Sequence, residues 1–182
     1  MAVTSFASID AQCNQESNPG GLTRVLIANH RNFTADWPVL ADLDVANVLD
    51  TEPPLAATKT FIEYLVPDGT ASADWDQQGD SSFESYQHMV ELMLAGFSTG
   101  VRTELKKMIN SGCVVVVEMK DEQYVVYGSV SDPIRFKASF KSGKKGNEKR
   151  GATLKGVVDG MRFLPPVLSG DVVTALPITA VA

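Results

Sequence analysis

Apolar positions in this chain recur mostly in the alternating or continuous patterns of strands, and once with a secure helical period. In Leu22-Thr-Arg-Val-Leu-Ile-Ala28, Leu22, Arg24, Leu26 and Ala28 share one face and Thr23, Val25 and Ile27 the other. Residues 29–42 read as a connection with Asn32, Asp36 and Pro38 as turn formers. Val45–Leu49 then predicts a short strand, and Thr58–Val66 a longer one ending at Pro67-Asp-Gly69. Ala71–Gln77 alternates weakly, with Asp74 and Asp76 facing one way and Ala73 and Trp75 the other. Cys113–Lys120 and Gln123–Val130 read as a hairpin of buried character around Asp121-Glu122. Ile134–Lys141 places Ile134, Phe136, Ala138 and Phe140 on one side, and Ala152–Leu164 is stopped by Pro165-Pro166.

Ser98–Asn110 carries the helical period. Val101, Leu105, Met108 and Ile109 follow i, i+4, i+7, i+8, and Arg102, Glu104, Lys106 and Lys107 fill the rest of the surface. Ser98 or Thr99 supplies the N-cap and Asn110-Ser-Gly112 the stop, with the lysines where the helix dipole favours cations. Phe83–Phe97 fits two patterns. Phe83, Tyr86, Val90, Met93, Leu94 and Phe97 recur at helical spacing, yet Tyr86, His88, Val90, Leu92 and Leu94 also share one face of a strand. Periodicity alone slightly favours the helix.

Seven or more strands and one helix predict a mainly β (α+β) protein, an antiparallel β-barrel or sandwich with one flanking α-helix, terminal arms and a basic loop. Residues 1–20, small and polar and leading into a Ser17-Asn-Pro-Gly-Gly21 breaker, read as an N-terminal arm. Residues 21–166 form the barrel domain. Residues 167–182, in which only Asp171 is charged, read as a C-terminal arm.

Charge adds a polarity that the strand pattern does not contain. Between Asp36 and Glu91 there are twelve acidic residues and one basic residue, Lys59. Between Asp132 and Arg162 there are nine basic and three acidic residues, centred on the glycine-containing loop Lys141-Ser-Gly-Lys-Lys-Gly-Asn-Glu-Lys-Arg150. One acidic and one basic surface on the same molecule favour head-to-tail self-association, which repeats until something closes it. The overall net charge of −6 argues against generic coating of nucleic acid.

Little in the chain points to catalysis. Cys13 and Cys113 form no C-x-x-C pair, and with His30 and His88 they have no zinc-ligand spacing. Cys113 reads as a small core residue and His88 as an exposed or lumen-side polar one. Trp37 and Trp75 read as core or loop anchors, with partial exposure at a contact as the other possibility. The acidic groups Asp42/Asp44/Asp50/Glu52 and Asp74/Asp76/Asp80 lack the completion of a calcium loop, and the basic loop lacks the P-loop spacing. No catalytic, cofactor or metal site is predicted. No apolar run approaches the roughly 20 residues that span a bilayer, and the N-terminus lacks a secretory pattern, so synthesis in the cytosol is expected.

The order of segments from Gly20 to Pro166 resembles the tail tube proteins of long-tailed bacteriophages, relatives of the tubes of contractile injection machines. Gly20-Gly-Leu-Thr-Arg-Val-Leu-Ile-Ala-Asn29 is similar to the opening strand, and Phe61-Ile-Glu-Tyr-Leu-Val-Pro-Asp-Gly-Thr-Ala71 to the strand and turn before an acidic segment. Phe97–Asn110 is similar to the single helix, Cys113–Gly128 to the hairpin after it, and Asn147-Glu-Lys-Arg-Gly-Ala-Thr-Leu154 to the loop and last strand. The resemblance implies a non-enzymatic structural protein of the virion tail, made in the cytoplasm of a bacterial host. Its copies would form rings, usually six-fold, that stack into a hollow conduit for DNA during genome ejection. Implied partners are other copies of the chain, a tape-measure protein, and tail-completion or baseplate proteins; DNA would pass without specific binding. It also implies a strand for Phe83–Leu94.

On that reading Lys141, Lys144, Lys145, Lys149 and Arg150 contact the neighbouring ring, opposite Asp74, Asp76 and Asp80, which are expected in an exposed loop. Other acidic residues of 36–91 would line the lumen. Read from its residues alone, the basic loop stays open between a solvated connection, a docking element and a phosphate contact. The alternative function is a nucleic-acid-binding β-barrel that uses this 141–150 loop.

Overall fold

A computed structural model describes residues 20–144 and 148–179. The expected N-terminal arm, apart from Gly20, lies outside the described residues, as does Cys13. Eleven strands form one sheet: β1 Leu22–Asn29, β2 Val48–Leu49, β3 Phe61–Tyr64, β4 Ala71–Gln78, β5 Ser85–Ala95, β6 Gly112–Met119, β7 Tyr124–Tyr127, β8 Ile134–Lys141, β9 Gly151–Met161, β10 Val167–Leu168 and β11 Ile178–Thr179. The helix α1 spans Thr99–Lys107 and a short α2 spans Gly170–Ala175. The main path runs β11-β3-β1-β6-β8-β9-β5-β4, with β7 on β6 and β10 joining β2 to β7. Pairing is antiparallel except for β10 with β2 and β11 with β3. The sheet curls into a half-barrel with one main helix, so the fold is mainly β as the pattern predicts.

The ambiguous segment Phe83–Phe97 is a strand over Ser85–Ala95. Long-range pairing outweighs its helical spacing, because β4 occupies one edge and β9 the other along nearly its whole length. His88, Val90, Leu92 and Leu94 point into the core, and Gln87, Met89, Glu91 and Met93 lie on the other face.

Two apolar clusters sandwich the β1–β6–β7 region. The first gathers Val25, Ile27, Val90, Leu92, Val115, Val117, Ile134, Phe136 and Leu154 inside the curled sheet. The second, on the reverse face, gathers Leu26, Trp37, Leu49, Phe61, Val114, Val116, Leu168, Val172 and Leu176. Coverage on both faces explains why Gly112–Val117 reads as a continuous buried run and does not alternate. Trp37 anchors its loop there, donating Nε1–H to the Thr51 carbonyl at 2.8 Å and stacking on Phe33.

The segment after Pro166 is not a free arm over residues 167–179. β10 and β11 hydrogen-bond into the sheet, and Leu168, Val172 and Leu176 close the second cluster. Its neutral, apolar composition is that of a cover strip, since an open β1–β6 face would expose valines and Leu26 to water.

Helix α1 starts as expected, with the Ser98 hydroxyl accepting the Val101 N–H. Val101, Leu105 and Met108 pack on the first cluster. The helix ends at Lys107, three residues before Asn110, which takes a left-handed φ of 55°. Ile109, placed by spacing on the apolar stripe, is therefore 69% exposed. Among the described residues no helix is long and apolar enough to cross a membrane.

Candidate assembly surfaces

Strands β4, β5, β9 and β8 form a four-stranded unit whose outer strands lack a second strand partner over most of their length, the Ala73 carbonyl of β4 being taken by the Tyr127 hydroxyl. β4 is hydrogen-bonded to β5 alone among the described strands. β8 pairs with β6 only at Cys113–Ile134 and Gly112–Arg135; from Phe136 to Lys141 its one strand neighbour is β9. An unpaired edge exposes backbone donors and acceptors to any strand that can align with it.

Residues opposite one another across a ladder share a face, so register fixes what the outward face of this unit carries. From β4 come Ser72, Asp74 and Asp76; from β5, Gln87, Met89 and Glu91; from β9, Thr153, Lys155 and Val157; from β8, Arg135, Lys137, Ser139 and Lys141. Charge changes sign across the face. The acidic side is β4, the basic side is β8, and the Lys155–Glu91 pair at 2.7 Å joins them in the middle.

A second polarity runs along the strands. The β4–β5 turn, residues 79–84, lies where β5 begins, and the β8–β9 loop lies where β5 ends, because Ala95 and Lys141 both pair with Gly151. The first end carries Asp80, Glu84 and an 82% exposed Phe83. The second carries Lys141, Lys144, Lys149 and Arg150, all exposed. Beside them Phe97 packs on Phe140 with ring centroids 4.3 Å apart, and the Arg102 guanidinium sits 5.6 Å from the Phe97 centroid.

The residues expected at a contact are thus divided between two kinds of surface. Asp74 and Asp76 are exposed but lie in strand β4, not in a loop; only Asp80 is in the turn. On the basic side, Lys141 ends β8 and the Arg150 carbonyl accepts the Gly96 N–H at 3.1 Å. The Lys144 N–H donates to Glu148 Oε2 at 3.0 Å. Lys145 lies outside the described residues. Two residues of the acidic excess of 36–91 have partners within the chain. Asp44 accepts the N–H groups of Ala46 and Val48 in its own turn, and Glu63 receives the Arg24 Nε–H at 2.6 Å.

Burial favours the neutral forms of Cys113, His88 and Tyr127. Burial raises the Cys113 thiol to about 11, so it stays protonated and inert at neutral pH. His88, expected at the surface, is fully buried between Tyr127 and Phe163, and burial lowers its pKa to about 4. The Tyr127 hydroxyl donates to the Ala73 carbonyl at 3.1 Å, tying β4 to β7 across the barrel; burial and then the Asp74 charge raise its pKa. Among the described residues no three His, Cys, Asp or Glu side chains gather where they would hold a metal.

Comparison with protein-family models, with curated proteins and with solved structures gives no match.

Proposed function

We propose that this chain is a structural, non-enzymatic subunit of a bacteriophage-type tail tube, assembling into rings that stack as a hollow conduit for DNA. The observation that carries this reading is the pair of oppositely charged edges, each without a strand partner over most of its length, on one four-stranded unit. β4 offers Asp74 and Asp76 at one edge, and β8, beyond its two pairs with β6, offers Lys137 and Lys141 at the other. An acidic edge meets a basic edge of the next copy with attraction, whereas two copies of either edge repel. The contact is heterologous, so successive copies turn in one sense and close into a ring when the rotation allows. Ladder hydrogen bonds add to the charge attraction, as in other strand-addition contacts.

The separation of charge along the strands supports stacking. An acidic turn at one end of β5 and a basic loop at the other let rings meet face to tail. The segment order that resembles tail tube proteins supplies the remainder of the reading: assembly in a bacterial cytoplasm, incorporation in a virion tail, and association with tape-measure and baseplate-type partners.

Negative-stain electron microscopy of concentrated purified protein tests the proposal, with rings or tubes expected. A chain that remains a monomer and binds DNA in a salt-sensitive way through Lys144 and Lys149 would instead be the nucleic-acid-binding barrel.

A further inference from the structure

We infer that Phe83, at the tip of the β4–β5 turn, docks into the cavity between Met93, Thr153, Lys141 and Lys149 at the far end of a second copy of this chain. The inference rests on the stacking part of the proposed function and names the residues that make it.

The Phe83 ring takes no part in the packing of either core cluster. The side chain is 82% exposed on a charged tip. The turn that presents it is nevertheless tightly built. The Phe83 N–H donates to the Asp80 carbonyl at 2.8 Å, and Ser82 takes a left-handed φ of 73°. Gly79 has φ 108°, and a Cβ there would fall 2.4 Å from the Phe83 carbonyl oxygen, so only glycine fits. Gln77 Nε2 donates to Glu84 Oε2 at 2.7 Å and holds the base of the turn. A large aromatic ring held out on a fixed turn loses little conformational freedom on binding.

A receptor of suitable chemistry lies at the other end of the same strands. A cavity of about 410 Å³ is lined by Met93, Lys141, Glu148, Lys149 and Thr153. An adjoining hollow of about 320 Å³ shares Met93, Lys149 and Thr153 with it. Met93 offers a thioether, which packs well against aromatic rings and adapts its shape to them. Lys141 and Lys149 line the cavity beside Glu148, whose carboxylate accepts the Lys144 N–H, and the two ammonium groups meet the Asp80 and Glu84 carboxylates that accompany the incoming Phe83. The charges set orientation, and burial of the ring provides most of the affinity.

The two halves cannot meet within one chain. Ser85 and Met93 are eight residues apart on one continuous strand, about 26 Å at the usual rise. A Phe83 that enters this cavity therefore comes from another copy, and among the described residues each copy carries both the exposed ring and the cavity.

Replacing Phe83 by the photo-crosslinker p-benzoylphenylalanine, irradiating concentrated protein and mapping the joined peptides tests this directly. Because the intrachain distance is too long, any link from position 83 to Met93 or to residues 148–153 is intermolecular. We expect dimers and higher ladders joined at those positions, an at least tenfold lower yield in Lys149→Glu, and an undiminished yield in Lys149→Arg. The Phe83→Ser variant should keep the thermal midpoint of the unmodified protein and lose its stacked species. Links mapping elsewhere, or no links, in a protein that still forms rings by electron microscopy would overturn the docking and leave the ring reading standing. Absence of both links and rings would overturn both.

Discussion

The imidazole Nδ1 of His88 accepts the backbone N–H of Gly128 at 3.2 Å, while Nε2 lies 3.1 Å from the Phe163 carbonyl oxygen. Together these bonds require the neutral tautomer with its proton on Nε2. Protonation of Nδ1 would break the first bond and bury a charge among Tyr127 and Phe163.

The folded pKa of about 4 lies below the ordinary value of 6.5, so between these values the unfolded chain binds the extra proton. Stability is then complete above about pH 6.5 and falls as pH drops toward 4, by up to about 3 kcal/mol. Urea denaturation at intervals from pH 7 to 4.5 should show this slope. His88→Gln should be less stable at pH 7 and flatter across the range. An equal slope in both proteins would assign the acid sensitivity to other groups.

Arg24 on β1 stands between carboxylates on both neighbouring strands, with Glu63 Oε1 at 2.6 Å and Glu118 Oε2 at 3.8 Å. Arg24→Met removes the cation that separates them. We expect a loss of about 2 kcal/mol, between the values for exposed and for buried pairs. Adding Glu118→Gln should recover part of it, measured by chemical denaturation of the two variants at pH 7. No recovery would mean that the stem of Arg24, more than its charge, matters.

Gly156 on β9 leaves room for the Ile134 and Phe136 side chains of β8 to pack over it. A Cβ there would lie 2.3 Å from Ile134 Cγ2 and 2.9 Å from a Phe136 ring carbon. Gly156→Ala should destabilise by about 1–3 kcal/mol through overpacking. Gly160→Ala, where a Cβ would meet nothing within 4 Å but φ is 76°, isolates backbone strain as the comparison. The thermal midpoints of the two variants separate the causes.

Reversing the charge of one sheet edge should leave the monomer intact and abolish lateral association. Asp74→Lys with Asp76→Lys is expected to change stability by no more than about 0.5 kcal/mol, because both side chains are exposed. Lys137→Glu with Lys141→Glu should behave alike, and a chain carrying all four changes should associate again. Sedimentation velocity reads each case. Failure of the fourfold variant to recover would argue against pairing of β4 with β8.

Local pairing signals in the chain were reliable where neighbours in sequence are neighbours in the sheet. The hairpin of β6 and β7, the alternation of β8 and the Ser98 cap all follow from nearby residues. Phe83–Phe97 was ambiguous because its identity as a strand depends on β9, more than fifty residues later. Once it is a strand, His88 falls on the apolar face with Val90, Leu92 and Leu94, so its burial was already implicit in that pattern. The cover strip was harder to see. Leu168, Val172 and Leu176 are spaced for one side of a helical turn, but the surface they cover is built by β1 and β6. The expected contact residues share the same limit: composition identified their charges, and only register separates edge residues Asp74 and Asp76 from the turn residue Asp80.

The polarity along the strands gives the proposed stacking a direction. A stack of subunits joined turn to loop is a vector: one terminus displays bare carboxylates and a phenylalanine, the other bare lysines and an empty hollow. A capping factor that recognises one terminus has nothing to grip at the other. Growth can then be started at one end and stopped at the other by two chemically unrelated proteins, with no measuring device inside the subunit.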